Sequence, residues 1–150
     1  MEEKMIKTFY LMRHGQTRFN VQGRIQGMCD SPLTEERIEQ AKAARRYFEQ
    51  EGITFTRVYS STQERACDTA ELATGRVDYI RLKGIKEMDF GAYEAHQEYL
   101  NPPVHHEDGS DYRDFFVRYG GESTAQVYEC MEQTIREVLE DSKEDETLLF

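Results

Sequence analysis

The chain has 150 residues, the length of one ordinary domain, and its hydrophobic fraction of 38% and charged fraction of 32% are typical of a globular protein. A net charge of −10, from 29 acidic and 19 basic residues, repels a nucleic-acid backbone, and no apolar run approaches the roughly 20 residues of a membrane-spanning helix. We therefore expect a single domain over residues 1–150 that binds neither nucleic acid nor a membrane.

The cysteines and the N-terminus indicate a cellular setting. Cys29, Cys67 and Cys130 form no CxxC pair, and their odd number argues against a disulfide framework. The first residues lack the basic start and apolar stretch of a secretory signal. These features predict a reducing, cytoplasmic setting. Because the chain is acidic, a site for a phosphorylated ligand would have to concentrate positive charge locally.

The first half of the chain predicts alternating strands and helices. Residues 6–12 are apolar and β-prone, so they predict a buried strand that ends at Arg13. Residues 17–32 are rich in Gly, Gln and Asn and predict a long functional loop. A helix then follows Thr34, a predicted N-cap, and ends before Gly52.

The second half continues the alternation. A strand is predicted at residues 53–59, a helix at 62–73 and a third strand at 77–82. After an irregular stretch, a final helix begins near Ser123, and residues 147–150 begin a fourth strand. Alternation of this kind predicts an α/β fold in which helices flank a mostly parallel sheet.

Arg13 and His14 come directly after the first predicted strand, at the sheet edge where α/β folds bind ligands. A neutral imidazole can attack a phosphorus atom, and a neighbouring guanidinium can bind the phosphoryl oxygens in a fork geometry. A histidine packed at a strand end beside a surface arginine would have the same local sequence. These two residues alone therefore leave both interpretations open.

A wider set of motifs resembles the histidine phosphatase superfamily, the phosphoglycerate-mutase-like enzymes. The matching pieces, in order, are Arg13-His14-Gly15-Gln16-Thr17 with Asn20, Gln26-Gly27 with Asp30-Ser31-Pro32-Leu33-Thr34, Gln40-Ala41, Ser60-Ser61 through Arg65-Ala66 and Thr69-Ala70, Lys86-Glu87-Met88-Asp89-Phe90-Gly91 with Tyr93-Glu94, and Gly120-Gly121-Glu122-Ser123. The ordered set is far more specific than any single piece. The resemblance implies a three-layer phosphoglycerate-mutase-like fold.

The resemblance also implies roles for individual residues. His14 would accept the phosphoryl group as a phosphohistidine, and Glu87 would protonate the leaving alkoxide. Arg13 and Arg65 would clamp the phosphate. The residues that would line the substrate pocket are Asn20, Gln26 and Gly27.

Other residues, whose side chains could in principle bind a ligand or take part in a reaction, are interpreted as structural. Arg24 is compatible either with the substrate loop or with solvent exposure, and Glu94 is predicted to cap or orient a following turn. Residues 105–108, His-His-Glu-Asp, lack a defined metal-ligand spacing and predict a solvated loop. We therefore expect no metal site and no cofactor.

Two departures from the family pattern stand out. The family completes its phosphate pocket with a second histidine soon after the strand that residues 147–150 would begin, and His96, His105 and His106 do not match that motif. We therefore expect the chain to lack the C-terminal part of the fold. Arg37 stands where the family often has Gly, which is expected to affect packing only.

The function favoured by the resemblance is hydrolysis of a small phosphate monoester through a phosphohistidine on His14. The segment between Glu94 and Gly120 is short for a dedicated glycolytic mutase, which favours a phosphatase. Phosphoglycerate-mutase-type transfer stays open, as does a weak or silent remnant that only binds phosphate or a partner. The expected partner is a small phosphorylated substrate, and a homodimer is left open.

Overall fold

The computed structural model describes residues 7–101 and 112–150, so the predicted loop at residues 105–108 lies outside the described part. The strands and α-helices are, in chain order, β1 (Thr8–Tyr10), α1 (Arg18–Val21), α2 (Glu35–Gln50), β2 (Arg57–Ser60), α3 (Glu64–Thr74), β3 (Ile80–Arg81), α4 (Thr124–Asp141) and β4 (Thr147–Leu149). Short 3₁₀ turns occupy Lys83–Ile85, Gly91–Tyr93, Glu98–Leu100 and Val117–Tyr119. Within these ranges, no helix is long and apolar enough to cross a bilayer.

The four strands form one parallel sheet in the order β1-β4-β2-β3. The last strand in sequence, β4, lies between β1 and β2, with Leu148 opposite Phe9 and Leu149 opposite Val58. Because the strands are parallel, their carboxyl ends share one edge of the sheet, and the segment after β1 emerges there. The predicted α/β class with a parallel sheet is confirmed.

The two faces of the sheet are covered by different helices. Alternating side chains send Val58 and Leu149 to one face, where they pack with Ala70 of α3 and Phe48 of α2. The other face packs against α4, and its members are Tyr59, Leu148 and Phe150 from the sheet region with Ile135, Val138 and Leu139 from the helix. This arrangement of helix, sheet and helix is the expected three-layer fold.

Helix ends follow local capping chemistry. The Ser123 hydroxyl accepts from the backbone N–H of Gln126 at 3.2 Å, and the Gln126 side chain accepts from the Ser123 N–H at 2.8 Å. Thr34 is the N-cap of α2 as predicted, although its side chain makes no capping hydrogen bond. At the end of α3, Gly75 adopts a left-handed conformation with φ of 69°.

Several predictions for individual elements are wrong. The first strand, predicted as buried over residues 6–12, is Thr8–Tyr10, which lies at one end of the described sheet and is largely exposed. The predicted loop at 17–32 contains the short helix α1, which begins after Thr17. Its N-terminus is capped by reciprocal hydrogen bonds between Thr17 and Asn20. The strands predicted at 53–59 and 77–82 are shorter, at Arg57–Ser60 and Ile80–Arg81. A strand exists only where a neighbouring backbone pairs with it, so apolar residues such as Phe55 can fill the core without belonging to a strand.

Candidate active site

His14 lies in the segment that leaves β1 at the carboxyl edge of the sheet. Its Nδ1 is 2.6 Å from the carbonyl oxygen of Gly15. A carbonyl can only accept, so Nδ1 carries the proton, and Nε2 of the neutral ring holds a lone pair. The Nε–H of Arg65 donates to that Nε2 at 3.2 Å. These two hydrogen bonds favour the tautomer whose Nε2 can act as a nucleophile.

The environment of His14 also favours the uncharged ring. Burial is the largest influence and lowers the pKa of His14 below its ordinary value of 6.5. The hydrogen bond to Gly15 opposes this shift, the charges of Arg65 and Arg13 add to it, and the charge of Glu87 opposes it. The net direction is downward, so the ring is mainly neutral at pH 7.

Arg65 lies in the first turn of α3 and is only 1% exposed. Its terminal nitrogens donate to the carbonyl oxygens of Cys29 at 2.8 Å and Gly27 at 2.9 Å. It also pairs with the carboxylate of Asp30 at 3.2 Å. Because each nitrogen of the guanidinium has a partner, the side chain is held with its Nε directed at His14.

The loop that holds Arg65 is itself held by Glu94. The Glu94 carboxylate accepts backbone N–H groups from Gly27 at 3.0 Å, Met28 at 2.7 Å and Cys29 at 3.2 Å. It also accepts the N–H of Phe90 at 3.0 Å. The prediction that Glu94 orients a following turn is wrong, because these partners all precede it, and three of them belong to a loop distant in sequence.

Arg13, His14 and Glu87 line one cavity at the carboxyl edge of the sheet. Arg13 is exposed and, among the described residues, makes no hydrogen bond or ion pair. Glu87 is half-buried, and its carboxylate accepts the N–H of Met88 at 2.9 Å. The cavity therefore combines a neutral imidazole, a free guanidinium and a carboxyl group, the set of groups needed to bind and transfer a phosphoryl group.

Arg65 is not itself in the lining of this cavity and is connected to it through its hydrogen bond to His14. Asn20, Gln26 and Gly27 are not in the lining either. The Asn20 side chain accepts from the backbone N–H of Thr17 at 3.0 Å, and the Gln26 side chain accepts from the Thr17 hydroxyl at 3.0 Å and from Ser31 at 2.6 Å. Gly27 offers its carbonyl to Arg65. In this structure all three organise the loop, and a contact with substrate stays a prediction.

Three further residues support the site and were not singled out by sequence reasoning. Asp30 pairs with Arg65 and accepts the N–H of Glu64 at 2.6 Å. Thr69 donates to the Arg65 carbonyl at 2.7 Å, and Gln63 donates to the Gly27 carbonyl. All three stand inside the motifs that resemble the family, which was the signal in the sequence that could have found them.

A second groove, on the surface of α4, is mainly apolar. Its lining includes Tyr128, Met131 and Leu139 but neither His14 nor Glu87. Within the described residues, no group of three or more His, Cys, Asp or Glu side chains is placed to hold a metal ion. The chemistry of the molecule is therefore best sought at the cavity that His14 lines.

Comparison with known families agrees with this geometry. The sequence profile of the histidine phosphatase superfamily (branch 1) matches residues 9–150. The chain belongs to this superfamily. It is 40% identical over 90 residues to the probable phosphoglycerate mutase GpmB of Proteus mirabilis, covering 59% of this chain and 41% of that protein. It is 30% identical to the putative phosphoserine phosphatase 2 of Hydrogenobacter thermophilus, covering 92% of this chain and 68% of that protein.

Solved structures show the same fold. The alpha-ribazole phosphatase of Shigella flexneri is 26% identical with a TM-score of 0.74, over 94% of this chain and 71% of that one. The phosphoserine phosphatase of Entamoeba histolytica, solved in complex with 3-phosphoglyceric acid, is 28% identical with a TM-score of 0.76, over 96% and 72%. The chain spans less than half the length of the first curated relatives it matches.

Proposed function

We propose that this protein hydrolyses small phosphate monoesters through a phosphohistidine on His14. The observation that carries the proposal is the state of the His14 ring, whose Nδ1–H is bound to the Gly15 carbonyl while Nε2 keeps its lone pair beside Arg65. A neutral imidazole with an oriented lone pair is a nucleophile, and a guanidinium beside it is a ligand for phosphoryl oxygens. Phosphatases among the relatives support the same chemistry.

In the first step, Arg13 and Arg65 bind the phosphoryl oxygens of the ester. The Nε–H of Arg65 then donates its hydrogen bond to a phosphoryl oxygen instead of to His14, which frees the Nε2 lone pair. In the form that reacts, Glu87 is protonated. Nε2 attacks phosphorus, the bond between phosphorus and the ester oxygen breaks, and Glu87 gives that proton to the leaving alkoxide. The products are an alcohol, a phosphohistidine and the Glu87 carboxylate.

In the second step, water replaces the alcohol. The Glu87 carboxylate takes a proton from the water as its oxygen attacks phosphorus. The bond between phosphorus and Nε2 breaks, inorganic phosphate forms, and the electron pair returns to the ring. Both groups are then in their starting states. Asn20, Gln26 and Gly27 belong to the loop around this site and are the candidates for contacts with the rest of the substrate.

A mutase reaction is the second candidate, because a probable phosphoglycerate mutase is among the relatives at 40% identity. The first step would be the same. The phosphohistidine would then give its phosphoryl group to the hydroxyl of a second organic phosphate instead of water. The two reactions differ only in the acceptor, so the product distinguishes them.

The test uses p-nitrophenyl phosphate, phosphoserine and 3-phosphoglycerate as substrates. We expect release of inorganic phosphate and, after rapid quenching, an acid-labile and base-stable phosphoryl group on His14 by mass spectrometry. Transfer to a second organic phosphate without release of inorganic phosphate would favour the mutase. Absence of both turnover and phosphohistidine would leave a protein that only binds phosphate or a partner, and would overturn the proposal.

A further inference from the structure

The Glu94 carboxylate has an unusual number of backbone donors. One oxygen accepts the N–H groups of Met28 at 2.7 Å and Phe90 at 3.0 Å, and the other accepts those of Gly27 at 3.0 Å and Cys29 at 3.2 Å. Three of these donors are consecutive residues that stand more than 60 positions before Glu94 in the sequence. The carboxylate therefore holds the backbone of residues 27–29, which we term the arginine-binding loop.

The arginine-binding loop contacts the phosphate site through its carbonyl groups. The Gly27 and Cys29 carbonyls accept the two terminal nitrogens of Arg65 at 2.9 Å and 2.8 Å. Arg65 in turn donates its Nε–H to Nε2 of His14 at 3.2 Å. Hydrogen bonds thus run without a gap from Glu94 through the loop and Arg65 to the nucleophilic nitrogen.

The arginine-binding loop is tightly packed at Gly27. A β-carbon on Gly27 would overlap the carbonyl oxygen of Met88 and would lie 2.5 Å from Oε1 of Glu94. The backbone at Gly27 therefore lies directly against the segment that precedes Glu94. A small displacement of the carboxylate must move the loop, because neighbouring atoms leave no room for a compensating adjustment.

Glu94 holds this loop as a charged group. Burial opposes its ionisation, but hydrogen bonds from the Cys29 thiol and from the N–H groups of Phe90, Gly27 and Met28 outweigh that cost and lower the pKa of Glu94. Burial and the neighbouring carboxylate also raise the pKa of the Cys29 thiol to about 11. A carboxylate with two accepting oxygens can serve all four backbone donors, whereas an amide would turn its NH₂ group toward two of them.

We propose that Glu94 is a positioning residue for phosphoryl transfer, which acts by holding the arginine-binding loop so that Arg65 is aimed at His14 and at the phosphoryl oxygens. The inference rests on the proposed function of this site. Glu94 itself touches neither the nucleophile nor the cavity in this structure. Its effect on the reaction passes through the two loop carbonyls.

The test compares Glu94→Gln with Glu98→Gln, which removes the same charge from an exposed side chain four residues away. Three quantities are measured in the intact protein: the pKa of the His14 ring by NMR, the affinity for inorganic phosphate from the shift of the same resonance, and kcat/KM for p-nitrophenyl phosphate. In Glu94→Gln we expect the pKa of His14 to rise toward 6.5, since Arg65 no longer donates to Nε2. Misplacing a phosphate ligand by about 1 Å should reduce kcat/KM by about 100-fold. Glu98→Gln should leave all three quantities unchanged.

A purely structural role would give a different result. Glu94→Gln would then unfold at a lower temperature while the folded protein kept the wild-type pKa of His14 and the wild-type affinity for phosphate, and the inference would be overturned. If Glu94→Gln does not fold, Glu94→Asp retains the charge but is one methylene shorter, so the loop must move to reach it. Wild-type phosphate affinity in a folded Glu94→Asp protein would also overturn the inference.

The result separates this inference from the proposed function. If the wild-type protein binds phosphate but does not turn over any ester, the hydrolase proposal fails. The pKa of His14 and the affinity for inorganic phosphate still report whether Glu94 positions Arg65, because neither measurement requires turnover.

Discussion

The Nε–H of Arg65 donates a hydrogen bond to Nε2 of His14 across 3.2 Å. The arginine proposed to bind the phosphoryl oxygens therefore also engages the lone pair that is proposed to attack the phosphorus atom. This hydrogen bond favours the neutral ring, because a protonated Nε2 could not accept it. A bound phosphoryl group offers the guanidinium stronger, charged acceptors. Ligand binding would therefore release the nucleophile at the moment its target arrives.

The first prediction concerns the nucleophile. His14→Ala should abolish phosphatase activity, since no other described side chain of the cavity can form the phosphohistidine. A metal chelator should leave wild-type activity intact, because guanidinium groups neutralise the phosphoryl charge. His96→Ala, which removes an exposed histidine ring outside the cavity, is the matched control and should keep wild-type activity. Turnover of p-nitrophenyl phosphate by His14→Ala, or its loss on chelation, would refute this mechanism.

Substitution of Arg65 or of Arg13 should affect the free energy of unfolding very differently, although both substitutions should weaken phosphate binding. Arg65→Ala leaves two loop carbonyls and Asp30 without their partner, and we expect a loss of about 3 kcal/mol in the free energy of unfolding. Arg13→Ala removes an exposed side chain, so its effect should be within about 0.5 kcal/mol. Both variants should bind inorganic phosphate more weakly. Urea denaturation and phosphate titration check these outcomes, and equal stability losses would contradict them.

The role of Glu87 can be tested with leaving groups of different basicity. Glu87→Gln removes the proton donor while keeping size and most hydrogen bonding. Hydrolysis of an alkyl phosphate should slow by roughly 100-fold or more, since its alkoxide needs protonation. Hydrolysis of p-nitrophenyl phosphate should slow much less, because nitrophenolate leaves without a proton. Glu98→Gln serves as the control, and equal losses on both substrates would argue against an acid role.

The lowered pKa of His14 predicts a pH dependence of stability. The unfolded chain binds a proton at this residue more readily than the folded chain does, so its contribution to stability is complete above the ordinary pKa of 6.5. That contribution is lost as pH falls from 6.5 toward the folded pKa. Neutral His14 is also the nucleophile, so kcat/KM should fall over an acidic limb centred below 6.5.

Urea midpoints of the wild type and His14→Gln, measured near neutral pH and about one to two units below it, test this linkage. The wild type should lose more stability than the variant over that interval. Titration of Glu94 does not affect this comparison, because the pKa of Glu94 is lowered from 4.5. Its contribution to the free energy of unfolding is therefore lost only at still lower pH. An identical pH dependence in the two proteins would show that His14 does not contribute.

Local chemistry explains which parts of the fold were predictable. The start of α4 at Ser123 and the end of α3 before Gly75 depend on residues within one turn of the boundary, so sequence alone places them closely. The strand boundaries depend on pairing partners elsewhere in the chain. The position of β4 between β1 and β2 is likewise a non-local property, which alternation of strands and helices does not specify.

The sequence by itself determined the fold class and the family, because periodicity and ordered motifs are properties of the chain, and it nominated His14, Arg13, Arg65 and Glu87 as candidates. Only the tertiary structure decided how Arg65 is aimed. Its direction depends on two carbonyls of a distant loop, and that loop depends on the Glu94 carboxylate more than 60 residues further along. Backbone groups carry no side-chain identity, so hydrogen bonds to backbone groups that are distant in sequence leave no local pattern from which they could be predicted.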